Sequence, residues 1–137
     1  MGGFVAGMNY LLDTCAVLWL ATEPQRLSME VLKGLEDSLA TVGVSAITAG
    51  ELACLVAKKR IQLPCHWRSW FRHAIKINGW KVFPVDLDVI EEAYSLPETF
   101  QSDPADRLLV ATARLNRLTL VTGDQHILNY PHVRSAN

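Results

Sequence analysis

Residues 103–124 read DPADRLLVATARLNRLTLVTGD, and three kinds of local structure succeed one another within them. Asp103 followed by Pro104 opens a helix: the acid accepts backbone N–H groups of the first turn, and proline loses nothing there by lacking its own. The apolar residues that follow carry that helix to about Asn116. Leu118 to Thr122 is short, aliphatic and β-branched, which reads as a strand. Gly123 and Asp124 then turn the chain out of it.

The same alternation extends outward in both directions. Asn9 to Leu12 predicts a first strand that runs into Asp13, with Thr14 capping a helix through Leu20. Ser28 opens a second helix to about Ser38, and Thr41 to Ser45 supplies a second strand. Thr48 is expected to start a helix that places Leu52, Leu55, Val56 and Lys59 on one face and stops before Pro64. Trp67, Trp70, Phe71, Ala74 and Ile75 recur at helical spacing, and Gly79 is a natural stop. Lys81 to Val85 reads as strand three, Asp88 as the cap of a helix through about Leu96, and Leu118 to Thr122 as strand four. Beyond Asp124 come a short helical piece near Leu128 and a brief edge strand from Val133. Strands alternating with helices imply an α/β fold, a parallel sheet with helices on both faces.

The chain has 137 residues, 13 Lys plus Arg against 14 Asp plus Glu, with half of its residues apolar. That is one compact domain with a real core, not a disordered chain. No apolar stretch approaches the ~18 to 20 residues of a membrane span. Met1 to Gly7 reads as a tag remnant or an extended start, and no secretory pattern precedes Met8, so a cytoplasmic location is expected. Cys15, Cys54 and Cys65 are odd in number and contain no Cys-x-x-Cys pair, so they are expected to be buried free thiols rather than disulfide or zinc ligands.

Charge is segregated along the chain. Leu52 to Val85 has no acid but holds Lys58, Lys59, Arg60, Arg68, Arg72, Lys76 and Lys81. Val82 to Asp106 reverses the sign, with seven acids and no Lys or Arg. Opposed patches, one of them fit for an anionic partner, follow.

In open parallel sheets ligands bind outside the carboxyl ends of the strands. Asp13 ends strand one, Glu51 lies in the first turn after strand two, and Asp124 stands two residues past strand four. Asp106 opens the helix before strand four, which runs antiparallel to the strands and so begins at that same edge. Each acid also has a local explanation: Thr48 with Glu51, and Asp103 with Asp106, fit capping boxes. Four separate caps need not share one edge, however, whereas a hard divalent cation requires oxygen ligands converging from several elements.

Leu11-Leu12-Asp13-Thr14, Val44-Ser45-Ala46-Ile47-Thr48-x-x-Glu51-Leu52 with Lys58-Lys59-Arg60-Ile61, Asp103-Pro104-Ala105-Asp106-Arg107-Leu108-Leu109 and Leu120-Val121-Thr122-Gly123-Asp124 resemble the PIN domain, specifically the VapC toxins of bacterial toxin-antitoxin systems. The likeness runs from Met8 to the C-terminus. It implies a three-layer α/β/α fold with a small central parallel sheet, and a single nuclease domain over residues 8–137. It further implies a Mg²⁺- or Mn²⁺-dependent endoribonuclease whose acidic quartet is Asp13, Glu51, Asp106 and Asp124, supported by Thr122 and Thr14, together with a homodimer and a cognate antitoxin that blocks the cleft. Ala105 stands where these toxins often carry a bulky aromatic, and Gln101 and Ser102 occupy a stretch that often holds a His.

The chemistry expected is hydrolysis of an RNA phosphodiester, with Asp13, Asp106 and Asp124 holding one or two cations and Glu51 completing the shell or orienting the water. There is no G-x-S-x-G elbow, phosphate loop or G-x-G-x-x-G. His66, His73, His126 and His132 read as surface or supporting residues. A phosphoryl-transfer protein would need a second acid beside Asp13, and Asp13-Thr14-Cys15 has none; a non-catalytic nucleic-acid or protein-binding module would not need the quartet. Arg68, Arg72 and Lys76 recur every four residues opposite an aromatic stripe, with no acids at i±4, so they are candidates for contact with RNA or an acidic antitoxin segment.

Overall fold

The computed structural model describes residues 8–98, 100 and 102–137. The reading of Met1 to Gly7 and the position of Gln101 therefore lie outside the described residues. In chain order the elements are β1 (Tyr10–Leu12), α1 (Thr14–Thr22), a 3₁₀ turn (Pro24–Arg26), α2 (Met29–Glu36), β2 (Val42–Ser45), α3 (Ile47–Ala57), α4 (Trp67–Asn78), β3 (Lys81–Phe83), α5 (Leu87–Ala93), α6 (Pro104–Asn116), β4 (Thr119–Val121), α7 (Gln125–Leu128) and β5 (Ser135–Ala136).

The five strands form one parallel sheet in the order β3-β2-β1-β4-β5. β1 is central: Leu11 pairs with Gly43 and Leu120, and Leu12 with Val44 and Val121. Alternation sends their side chains to opposite faces. Leu12, Val44 and Val121 pack with Ala16, Val17, Leu52 and Phe71, bringing α1, α3 and α4 onto one face. Leu11, Leu120 and Phe83 pack with Leu109, Val110, Ala113 and Ile127, which holds α6 and α7 on the other. α5 lies against α6 through Val89, Ala93, Leu108 and Ala111. Each fully buried aliphatic side chain in these layers stabilises the fold by about 1.5–3 kcal/mol, so three-residue strands suffice because both faces are covered. The α/β/α expectation holds.

The strand order also decides where a site can form. From β1 the chain steps one way to β2 and β3, then returns on the other side of β1 as β4 and β5. The connections leaving β1 and β4 therefore diverge, and a crevice opens between the carboxyl ends of those strands.

Several local expectations are corrected. The cap of α1 is Asp13, not Thr14: the Asp13 Oδ1 accepts the Ala16 N–H at 2.7 Å. α5 is capped by Asp86 rather than Asp88, its Oδ1 accepting the Val89 N–H at 3.0 Å, and ends at Ala93. α3 starts at Ile47, so Thr48 lies inside it, fully buried, and caps nothing. α3 ends at Ala57, short of the expected stop before Pro64, and residues 58–66 form the connection to α4. The cysteines are free, as expected, but exposed rather than buried. Cys54 lies two residues beyond the fully buried Leu52, about 200° around the helix at ~100° per residue, which turns it to solvent.

Candidate active site

Asp13 leaves β1 at the centre of the sheet, its N–H continuing the ladder to the Val121 carbonyl at 3.1 Å. Its residue is only 7% exposed. The carboxylate takes the Ala16 N–H and a hydrogen bond from the Thr122 hydroxyl. Thr122 is fully buried just past β4, and its Oγ1 also accepts the Asp124 N–H at 3.0 Å. One hydroxyl thus ties the turns after β1 and β4 together. Asp124 caps α7 through the His126 N–H at 2.8 Å. Between them Gly123 passes so close to α1 that a Cβ there would run into the Trp19 indole.

Glu51 comes from α3 and is half-buried. Its partner is not Thr48, as a capping box requires, but Thr14: the Thr14 Oγ1 donates to Glu51 Oε1 at 2.5 Å, with the Thr48 Oγ1 3.4 Å away. Because Asp13 does the capping, the Thr14 hydroxyl is available for this. Asp106, in the first turn of α6, forms only half of its expected box. The Asp103 Oδ1 accepts the Asp106 N–H at 2.9 Å, but the Asp106 carboxylate takes the Ser102 hydroxyl at 2.6 Å. Sequence reasoning gave Ser102 no such role, although a hydroxyl one residue before an acidic cap is the available signal.

The electrostatics show which acids meet. Burial pushes Asp13 up to about 6; the Thr122 and Ala16 hydrogen bonds oppose this, while the charges of Asp106 and Asp124 add to it. Glu51 is raised by burial, lowered by Thr14, and raised again by Asp106, Asp103 and Asp13. Asp106 is raised by burial, lowered by Ser102, and raised by Asp103 and by Asp124, whose carboxyl group is within hydrogen-bonding reach. Two bare carboxylates do not hold such a contact without a proton or cation between them. The quartet therefore converges. Among the described residues no three His, Cys, Asp or Glu side chains are placed together closely enough to hold a metal ion as they stand. What the fold provides is an all-oxygen donor cluster under mutual repulsion, which suits a hard divalent cation and no soft one.

A PIN-domain family model matches residues 10–133. The chain belongs to the PIN-domain family. It is 38% identical over 126 residues to Ribonuclease VapC22 of Mycobacterium tuberculosis (strain ATCC 25618 / H37Rv), covering 90% of this chain and 93% of that one. Among solved structures it is similar to VapBC2 from Rickettsia felis bound to a DNA fragment from their promoter, with a TM-score of 0.70, 17% identity, and 95% of this chain and 98% of that chain covered. FitAcB from Neisseria gonorrhoeae aligns with a TM-score of 0.61 at 25% identity, covering 95% and 97%.

Other features of this PIN domain lie outside the acid cluster. Cys15 is exposed as a residue, with its thiol partly covered; that partial burial and the charges of Asp13, Glu51 and Asp106 push it up to about 11, which disfavours the thiolate at neutral pH. Arg68, Arg72 and Lys76 are exposed on α4, while Phe71 is buried and Trp67, Trp70 and Ile75 pack against the core. The aromatics are thus core, not stacking platforms. His66 caps α4 through Nδ1, which accepts the Arg68 N–H at 3.1 Å, and His66, His73 and His126 are exposed.

Proposed function

We propose that this PIN-domain protein is a Mg²⁺- or Mn²⁺-dependent endoribonuclease and the toxin of a toxin-antitoxin pair. The observation that carries the reading is the convergence of Asp13, Glu51, Asp106 and Asp124 from four separate elements at the carboxyl edge of the sheet, each buried acid raised by at least one other of them. Asp13, Asp106 and Asp124 would hold the cation, and Glu51 would complete its shell or orient the attacking water. A bound divalent ion supplies a Lewis acid that lowers the pKa of water and stabilises charge on the phosphate. Thr122 and Thr14 hold Asp13 and Glu51 in place, so the carboxylates are arranged before substrate arrives. No protein nucleophile is required.

The ribonuclease name of the mycobacterial relative and the toxin-antitoxin complexes among the structural likenesses support an RNA substrate and a cognate antitoxin. A homodimer acting in the cytoplasm completes the proposal. Among the described residues no helix is long and apolar enough to cross a membrane. Incubation of the purified chain with RNA should produce defined internal cuts with Mg²⁺ or Mn²⁺ and none with EDTA. RNA binding without cleavage under every metal condition would instead favour a non-catalytic binding module.

The cationic stripe of α4 is assigned to contact with RNA phosphates. Replacing Arg68 and Arg72 by Gln should weaken RNA binding across sequences and flatten its log–log salt dependence by about one to two units, since each neutralised phosphate on a single strand contributes roughly 0.7. Metal binding should not change. An unaltered salt slope, with antitoxin affinity also unaltered, would return these residues to an ordinary solvated face.

A further inference from the structure

Three hydroxyl groups serve the quartet, and one of them belongs to no expected motif. Thr122 bonds Asp13, Thr14 bonds Glu51, and Ser102 bonds Asp106. Asp106 is held at two points: its N–H by the Asp103 cap at 2.9 Å and its Oδ2 by the Ser102 hydroxyl at 2.6 Å. In a completed capping box the Asp106 carboxylate would bend back to the N–H of Asp103 and be used up within its own helix end. The Ser102 hydroxyl replaces that return bond. It occupies one oxygen from the side of the preceding loop, and the carboxyl group reaches the one on Asp124 across the crevice.

We propose that Ser102 is a positioning residue that keeps the Asp106 carboxylate turned out of its helix cap and into the acid cluster, where it can serve as a cation ligand. The proposal rests on the metal-site reading above but assigns a residue that reading does not need. Outer partners of metal ligands typically contribute ten- to hundredfold in affinity, because an unanchored carboxylate must be ordered when the ion binds. Ser102→Ala frees Asp106 to rotate back toward the Asp103 N–H, whereas Ser102→Thr retains the hydroxyl.

The test is calorimetric titration of the RNA-free protein with Mn²⁺, paired with the melting temperature of the metal-free protein. Wild type should bind, Asp106→Asn should not, Ser102→Ala should bind at least about tenfold more weakly, and Ser102→Thr should return to near wild type. The metal-free melting temperature of Ser102→Ala should remain within a few degrees of wild type, since the loop bond is not part of the core. Mn²⁺ binding by Ser102→Ala at wild-type affinity, or an equal loss in Ser102→Thr, overturns the role of Ser102 and leaves the metal site standing. Absence of Mn²⁺ binding by the wild type overturns the metal site and the role of Ser102 with it.

Discussion

Asp13→Asn and Asp106→Asn each abolish Mg²⁺-dependent RNA cleavage in the expected result, with a loss of at least about a hundredfold, or roughly 2.7 kcal/mol of barrier. Both substitutions remove one charge and little else. Asn caps a helix about as well as Asp, so the bond from the Ala16 N–H to residue 13 is retained. At position 106 the side-chain amide oxygen can still accept the Ser102 hydroxyl. The folds should therefore persist, which a melting curve checks, while the affinity of the cluster for a divalent ion and the stabilisation of phosphate charge are lost. Near wild-type cleavage by both variants at saturating Mg²⁺ would remove the quartet from the mechanism.

The second large effect is on stability without substrate. Asp13 titrates at about 6 in the folded protein against an ordinary value of 3.8, because burial and the neighbouring acids disfavour its charge. The folded state therefore binds this proton more tightly than the unfolded chain. The stability so gained is fully present below about pH 4 and is lost as pH rises through about 6. A displacement of about two units corresponds to roughly 3 kcal/mol. Glu51 and Asp106 are raised as well and act in the same direction. At pH 5, about one unit below the folded Asp13 value, roughly half of the Asp13 contribution, about 1.4 kcal/mol, is present, so metal-free protein in EDTA should melt about 5 °C higher at pH 5 than at pH 8, taking about 3–4 °C per kcal/mol at this size. At pH 8 Mn²⁺ or Mg²⁺ should restore much of the difference by binding the native state. Asp13→Asn should flatten the pH dependence and melt above wild type in EDTA at pH 8, a gain in stability at the expense of activity. A metal-free wild type that gains stability from pH 5 to pH 8 contradicts the account. A metal-induced shift that survives unchanged in the Asp13→Asn, Asp106→Asn double variant places the ion elsewhere.

Much of this protein is written in short-range chemistry. The apolar runs of β1, β2 and β4, the Ser28 cap of α2, the Asp103-Pro104 start of α6 and the Gly79 stop of α4, in the left-handed region at φ 65°, are all readable because each depends on neighbours within one helical turn or one strand. The alternation of these elements implies a parallel sheet, and a parallel sheet implies which edge is functional. That is why Asp13, Glu51, Asp106 and Asp124 could be assembled by chain order alone. Where two local solutions compete, spacing does not choose between them. Asp13 or Thr14, and Asp86 or Asp88, are equally good caps in isolation.

The choice between them came from contacts the chain order does not display. Asp13 caps α1, and the Thr14 hydroxyl that this leaves available finds Glu51 thirty-seven residues away. Thr48 lies inside the helix, which begins at Ile47, whose N–H donates to the Ser45 Oγ at 3.1 Å. Cys54 faces water because Leu52 takes the core side of α3. Periodicity and strand ends are local, so the layers and the carboxyl edge of the sheet were legible along the chain, and Asp13, Glu51, Asp106 and Asp124 could be placed at that edge as candidates. Which hydroxyl holds which carboxylate emerges from the folded chain, because a side-chain hydrogen bond depends on ångström-scale approach between segments whose separation along the chain carries no information about it.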